Sequence, residues 1–233
     1  MNGLIKSVIS YFFPTYCLGC GQRLSADNQL LVCPNCFEKL PKYSGMEPFY
    51  GAVDRLIGQL PFTEYQSDLI FSNKTLVRKL IHIFKYQGNA PLGYSLAHQF
   101  VSKHKDLGHY ADITMIVPIP LIAKRLKNRG YNQSYHIARA FSEVYHIPIL
   151  TNILLRYEEN GGSQTIRGKE QRWQAMQDAF RVSQDVSVMG KRILVVDDLL
   201  TTGATLVQAG RALIDAGAES VSFYTLAVDA KLS

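Results

Sequence analysis

Cysteine is scarce and confined to one stretch. Cys17, Cys20, Cys33 and Cys36 are the only thiols in 233 residues, so no disulfide framework runs through the chain and a staple-dependent secreted fold is not expected. Long apolar runs are missing as well. None approaches the ~18 residues that a membrane span requires. The start, Met1–Tyr16, holds a single cation, Lys6, and a broken apolar stretch without a small-residue cleavage site. Leu4, Ile5, Val8, Ile9 and Phe12 lie at helical spacing there, which predicts a short amphipathic helix rather than a secretory signal. No internal repeat and no low-complexity tract interrupts the sequence. Acids are outnumbered, 19 against 25 Lys and Arg, and the net charge of +6 favours anionic partners such as phosphates or nucleic acid.

What is present is enough for a full core, since 47% of residues are apolar. The length suits one main domain plus something small, and the boundary is expected near residue 45, with residues 1–45 separate from 46–233. The small part carries its own signature. Cys17-x2-Cys20 and Cys33-x2-Cys36, twelve residues apart, have metal-ligand spacing, each turn setting two thiolates on one side of a tight loop. Two such turns close a tetrahedral shell around Zn²⁺ with no open position, so the metal is expected to be structural.

Beyond the cysteines the pattern alternates. Residues 54–71 predict one or two strands, broken by Pro61. A helix is expected from an Asn73 cap through Leu76, Val77, Leu80, Ile81 and Phe84, and another over about 91–103. Ile113–Val117 is an apolar run ended by Pro118 and Pro120, which predicts a buried parallel strand. A basic loop follows, then a helix from Asn132 to about Tyr145, a short strand at 153–156 and a polar stretch over 158–171. Ile193–Val196 predicts a second buried strand, 204–216 a helix stopped by Gly217, and 221–227 the last strand. Strands alternating with helices predict a parallel α/β sheet with right-handed crossovers.

The run Ile193-Leu194-Val195-Val196-Asp197-Asp198-Leu199-Leu200-Thr201-Thr202-Gly203-Ala204-Thr205 resembles the 5-phosphoribosyl-1-diphosphate (PRPP) motif of type I phosphoribosyltransferases. The chemistry fits. A buried strand would deliver two carboxylates to the carboxyl edge of a parallel sheet, where open α/β folds bind ligands. Carboxylates accept hydrogen bonds, and a ribose offers two vicinal hydroxyls. The Thr201–Thr205 turn, opening a helix, would present N–H groups and hydroxyls to a 5-phosphate. A second anion site is expected at Pro118, Ile119 and Pro120 and the four cations that follow, Lys124, Arg125, Lys127 and Arg129.

Together these segments resemble the ComF family, competence proteins with an N-terminal zinc ribbon and a phosphoribosyltransferase-like domain. Cys17–Cys36 fits the ribbon, Phe84-Lys85-Tyr86-Gln87-Gly88 fits a Lys-Tyr-x-Gly element, and Val117–Gln133 fits the Val-Pro-hydrophobic-Pro…Arg-Gly-aromatic-Asn-Gln signature. Leu155-Arg156, Gln164, Arg172 and Ala179-Phe180 fit the mobile-loop region. Ala175 and Ile166-Arg167 depart from it, where the family often has Asn and Gly-Leu. The resemblance implies a PRPP-binding run Asp197–Thr205, Leu199 and Leu200 included, in which Asp197 and Asp198 hold ribose hydroxyls and Thr201–Thr205 the 5-phosphate. Arg125, Arg129 and Lys85 would lie near the diphosphate, with Mg²⁺ bridging it. It also implies a cytoplasmic factor that handles incoming single-stranded DNA during natural transformation, alongside other DNA-uptake or DNA-processing proteins, with Tyr131, Tyr135 and Trp173 as candidates for base stacking. Two other functions stay open on the residues: phosphoribosyl transfer in nucleotide or salvage metabolism, and a sensor in which PRPP switches a partner contact without chemistry.

Overall fold

The computed structural model describes residue 12 and residues 14–44, 51–106, 110–156 and 179–229. The helix expected over residues 4–12, apart from Phe12, lies outside these, as do Gln164, Arg172 and Trp173.

Four strands form one parallel sheet: β1 (Tyr65–Phe71), β2 (Met115–Pro118), β5 (Arg192–Leu200) and β6 (Ser220–Asp229), in the order β1-β6-β5-β2. The two central strands are covered on both sides and therefore read as near-continuous apolar runs. Their side chains still divide by alternation. Leu194, Val196, Tyr224 and Leu226 enter one buried cluster, while Ile193, Val195, Val221 and Phe223 enter the other.

The first cluster is capped by α3 (Leu76–Tyr86), α4 (Ala90–Asp106) and α6 (Gln133–Tyr145), the second by α7 (Ala204–Asp215). Val77, Leu80, Ile81 and Phe84 of α3 are buried at the three- and four-residue spacing that faces a helix toward a sheet. Both sheet edges are covered. Residues 41–43 lie antiparallel to β1, with Lys42 opposite Leu69, and Ile149 pairs with Ile116 of β2.

The cysteine segment, with its short helix α1 (Pro34–Glu38) and the one-turn α2 (Gly51–Asp54) after it, packs into the first cluster. Cys17, Val32, Cys33, Phe37 and Leu40 belong to the same buried cluster as α3 and α4. Phe37 packs on Phe100 with ring centroids 5.3 Å apart.

Four sequence expectations change. The strand expected from residue 54 begins only at Tyr65, because Gly58 has φ 74° and turns the chain; Leu56 and Leu60 are buried from the turn instead. Thr75, not Asn73, caps α3, its hydroxyl accepting from the Arg78 N–H at 3.3 Å. The basic segment is the helix α5 (Ala123–Arg129) rather than a loop, ended by Gly130 in the left-handed conformation at φ 78°. Finally, β3 (Leu154–Arg156) and β4 (Phe180–Val182) make an antiparallel ribbon outside the main sheet.

Candidate functional site

β5 does not stop at its last valine. Its ladder with β6 continues through Asp197 opposite Thr225 to Leu200 opposite Val228, so both acids are held by strand backbone. Asp197 accepts a hydrogen bond from the Ser134 hydroxyl at 2.9 Å and from the Asp198 N–H at 2.8 Å. Asp198 is paired with the Lys85 ammonium at 2.8 Å. The cation thus neutralises one acid of the two. Burial, then the charge of Asp198, pushes the Asp197 carboxyl up to about 6, against the pull of its donors and of Lys85.

The turn after the acids is fastened from behind. Arg55 donates through Nη1 to the Thr201 carbonyl and through Nη2 to the Asp229 carbonyl at 3.0 Å. Gly203 has φ 83°, and a Cβ there would sit 3.2 Å from the Arg55 carbonyl oxygen and the Leu56 side chain. Both the conformation and the close approach demand glycine. α7 starts at the next residue, with Thr201, Thr202 and Ala204 exposed in front of its first turn. The first N–H groups of a helix have no intrahelical acceptor and carry the positive end of its dipole, so an anion placed at this turn would be stabilised. Leu200 is core, 2% exposed, and Leu199 is partly buried.

Across from the turn, the Ile119 N–H donates to the Val196 carbonyl at 2.9 Å, and Asn132 joins the two segments. Its amide donates to the Ile119 carbonyl at 3.0 Å while its oxygen caps α6 by accepting from the Ser134 N–H at 3.1 Å. Pro120 offers its carbonyl to Arg156 at 3.5 Å. Burial, then the charge of Arg125, lowers the Arg156 pKa, against the pull of Asp197. α5 buries no residue. Arg129 leans back over the Tyr86 ring at 5.0 Å and donates to Gln133 at 3.2 Å. Tyr131 donates its hydroxyl to the Phe84 carbonyl and is half-buried, whereas Tyr86 is 61% exposed.

The structure therefore gathers Asp197, Asp198, Lys85 and the Thr201–Thr205 turn, and holds Pro118–Pro120 beside them. Ser134 and Arg55 are contributors that no motif named, whereas Asn132 stands in the Arg-Gly-aromatic-Asn-Gln signature. Asn132 had a signal as a helix cap. Arg55 had none, being 146 residues from the loop it holds.

At the other end, the four cysteine Sγ atoms lie within 4.8 Å of one another. Cys20 and Cys33 are 3.8 Å apart, the edge of a tetrahedron with metal–sulfur bonds of about 2.3 Å. Burial alone would raise the Cys17 thiol, but N–H groups of Cys20, Cys33 and Gly19 bring it down to about 6. The set fits a metal ion.

The strand that ends in two acids, the glycine turn and α7 all fall within residues 127–232, which match the Phosphoribosyl transferase domain family. With the four-cysteine segment in front, the resemblance is to the ComF family, and it extends over nearly the whole chain. Competence protein F of Haemophilus influenzae is 28% identical over 230 residues, 97% of this chain and 89% of that protein. Competence protein ComFC of Bacillus subtilis is 29% identical over 163 residues, 69% of this chain and 63% of that protein, so the chain spans under two thirds of it. Among solved structures, the glutamine PRPP amidotransferase of B. subtilis aligns with 57% of this chain and 26% of its own, at 17% identity and a TM-score of 0.41. Among the described residues, no helix is long and apolar enough to cross a membrane.

Proposed function

We propose that the protein binds PRPP with Mg²⁺ and acts in the cytoplasmic handling of DNA during natural transformation. The observation that carries the ligand is the placement of Asp197 and Asp198 at the end of β5, directly ahead of the Gly203 turn and the start of α7. Asp197 and Asp198 take the ribose hydroxyls, Thr201–Thr205 the 5-phosphate, and Lys85, Arg125 and Arg129 face the diphosphate. Mg²⁺, which keeps most of its waters and leans on substrate phosphates, supplies charge neutralisation there. The transformation role is supported by the relatives, named competence proteins and, in Escherichia coli, "DNA utilization protein YhgH", 24% identical over 91% of this chain and 83% of that one. The four cysteines hold Zn²⁺ as a structural ion.

Calorimetric titration of PRPP with Mg²⁺ tests the reading, with an Asp197→Ala, Asp198→Ala double variant beside the wild type. Heat in the wild type that the variant loses supports it; no heat from either overturns it. Transfer of the phosphoribosyl group is tested in the same sample by diphosphate release on addition of acceptors. A single-strand contact is favoured by one surface feature, the exposed cationic α5 beside the Tyr86–Arg129 stack. Cations and aromatic faces together suit single strands, and binding through them falls steeply with salt.

A further inference from the structure

Lys85 and Asp198 already satisfy each other. Their pair is 2.8 Å long, with side chains only 17% and 10% exposed, so the carboxylate that the reading above gives to the ribose is committed to an ammonium. Arg129 is tied in as well. It donates to Gln133 Oε1 at 3.2 Å, and the Gln133 amide donates to the Lys85 carbonyl at 3.5 Å. The end of α3 and the start of α6 are one bracket around these cations.

A sugar hydroxyl is neutral and cannot replace an ammonium as the counter-ion of a buried carboxylate. Pulling Asp198 away from Lys85 with hydroxyls alone would strand a cation in a site with little water, and that is costly. A ligand with an anion on C1 changes the balance. The 1-substituent sits on the carbon next to the 2-hydroxyl, so phosphoryl oxygens arrive beside Asp198 together with the hydroxyls. Lys85 then exchanges one anion for another, and Asp198 is freed for the ribose.

We propose that Lys85 is a specificity-determining residue, withholding Asp198 from sugars without an anion at C1 and yielding it to a 1-diphosphate. The proposal rests on the PRPP reading of the site and names what makes that site select PRPP over ribose 5-phosphate.

The test is calorimetry with Mg²⁺ on the full chain, using PRPP and ribose 5-phosphate against wild type, Lys85→Gln and Lys85→Arg. In Lys85→Gln, PRPP affinity falls about tenfold or more, the scale of a lost contact to a charged group. Ribose 5-phosphate affinity rises at least about threefold in the same variant, because Asp198 is free. Changes in the same direction for both ligands, or no change, overturn the proposal. Lys85→Arg keeps the charge and provides the test if Lys85→Gln does not fold. Its fork grips a carboxylate by two bonds, so ribose 5-phosphate binds more weakly than to wild type and the preference for PRPP persists. An Arg variant with no preference overturns the proposal. A wild type that binds neither ligand removes the PRPP reading and the proposal with it. A wild type that binds PRPP, with both variants shifting the two ligands in parallel, removes only the role of Lys85.

Discussion

Asp197 shows what setting two acids side by side costs the fold around them. Its carboxyl is partly buried beside a second carboxylate, and the Lys85 ammonium is paired with Asp198. A carboxyl held at about 6 when folded, against about 4 when unfolded, binds its proton more tightly in the native state. Stability from this group is therefore full below about pH 4 and lost as pH rises through about 6. Asp197→Asn removes the charge while keeping an oxygen for the Ser134 hydroxyl. Its Tm is expected to exceed that of wild type at pH 8 by about 2–4 °C, on the order of 1 kcal/mol, and the gain shrinks toward zero near pH 4. Thermal melts across that range check it, and a gain independent of pH would contradict it. Ser134→Ala acts in the other direction on binding. The 2.9 Å hydrogen bond that aims Asp197 is lost, and PRPP affinity should drop about threefold to tenfold at unchanged fold, measured by calorimetry.

At the scale of elements, α3 is the piece whose position matters most, because its last turn brings Lys85 to Asp198 while Phe84, one residue earlier, is fully buried. Phe84 lies against Gly93 of α4, where a Cβ would stand 2.0 Å from the ring. Gly93→Ala sets two effects against each other. Helix propensity favours alanine by about 1 kcal/mol, whereas forcing a methyl into a filled core costs about 1–3 kcal/mol or more. At 2.0 Å the clash wins, and the variant should lose about 1–2 kcal/mol in denaturant unfolding together with PRPP affinity. The same contrast decides what the sequence made legible. α3 and α4 were readable because their apolar residues recur at helical spacing, and the chemistry of Asp197–Thr205 was readable because strand, acids and turn are contiguous. α5 was not, since a helix that buries nothing has no apolar stripe to detect. Acids are poor strand formers, so the sequence predicts β5 only as far as Val196, and pairing with β6 carries the strand four residues further. Pairings across the chain, such as Arg55 to Thr201, leave no local trace.

Across the whole molecule, the cysteine segment is part of the core that supports the site. Cys17 and Cys33 are in one buried cluster with Leu80, Phe84, Leu96 and Phe100, and a Cβ on Gly19 would meet both Cys36 Sγ, at 2.7 Å, and Leu76 at the start of α3, at 3.1 Å. An ion at the cysteines therefore acts on one end of the helix whose other end carries Lys85. Two thermal behaviours are conceivable when that ion is removed by a strong chelator under reducing conditions. A module that folds alone would melt by itself and leave the main transition where it was. A module that shares the core cannot, because Phe37 packs on Phe100 of α4 and both lie with Leu40 in one buried cluster. The metal's binding energy is then stability of the whole, and its loss should lower one cooperative transition by about 10 °C or more. Calorimetric scans of treated and untreated protein decide the matter: an unmoved main transition would mean that the cysteine segment is an appendage, and a single shifted one that it is a brace for α3 and, through α3, for Asp198.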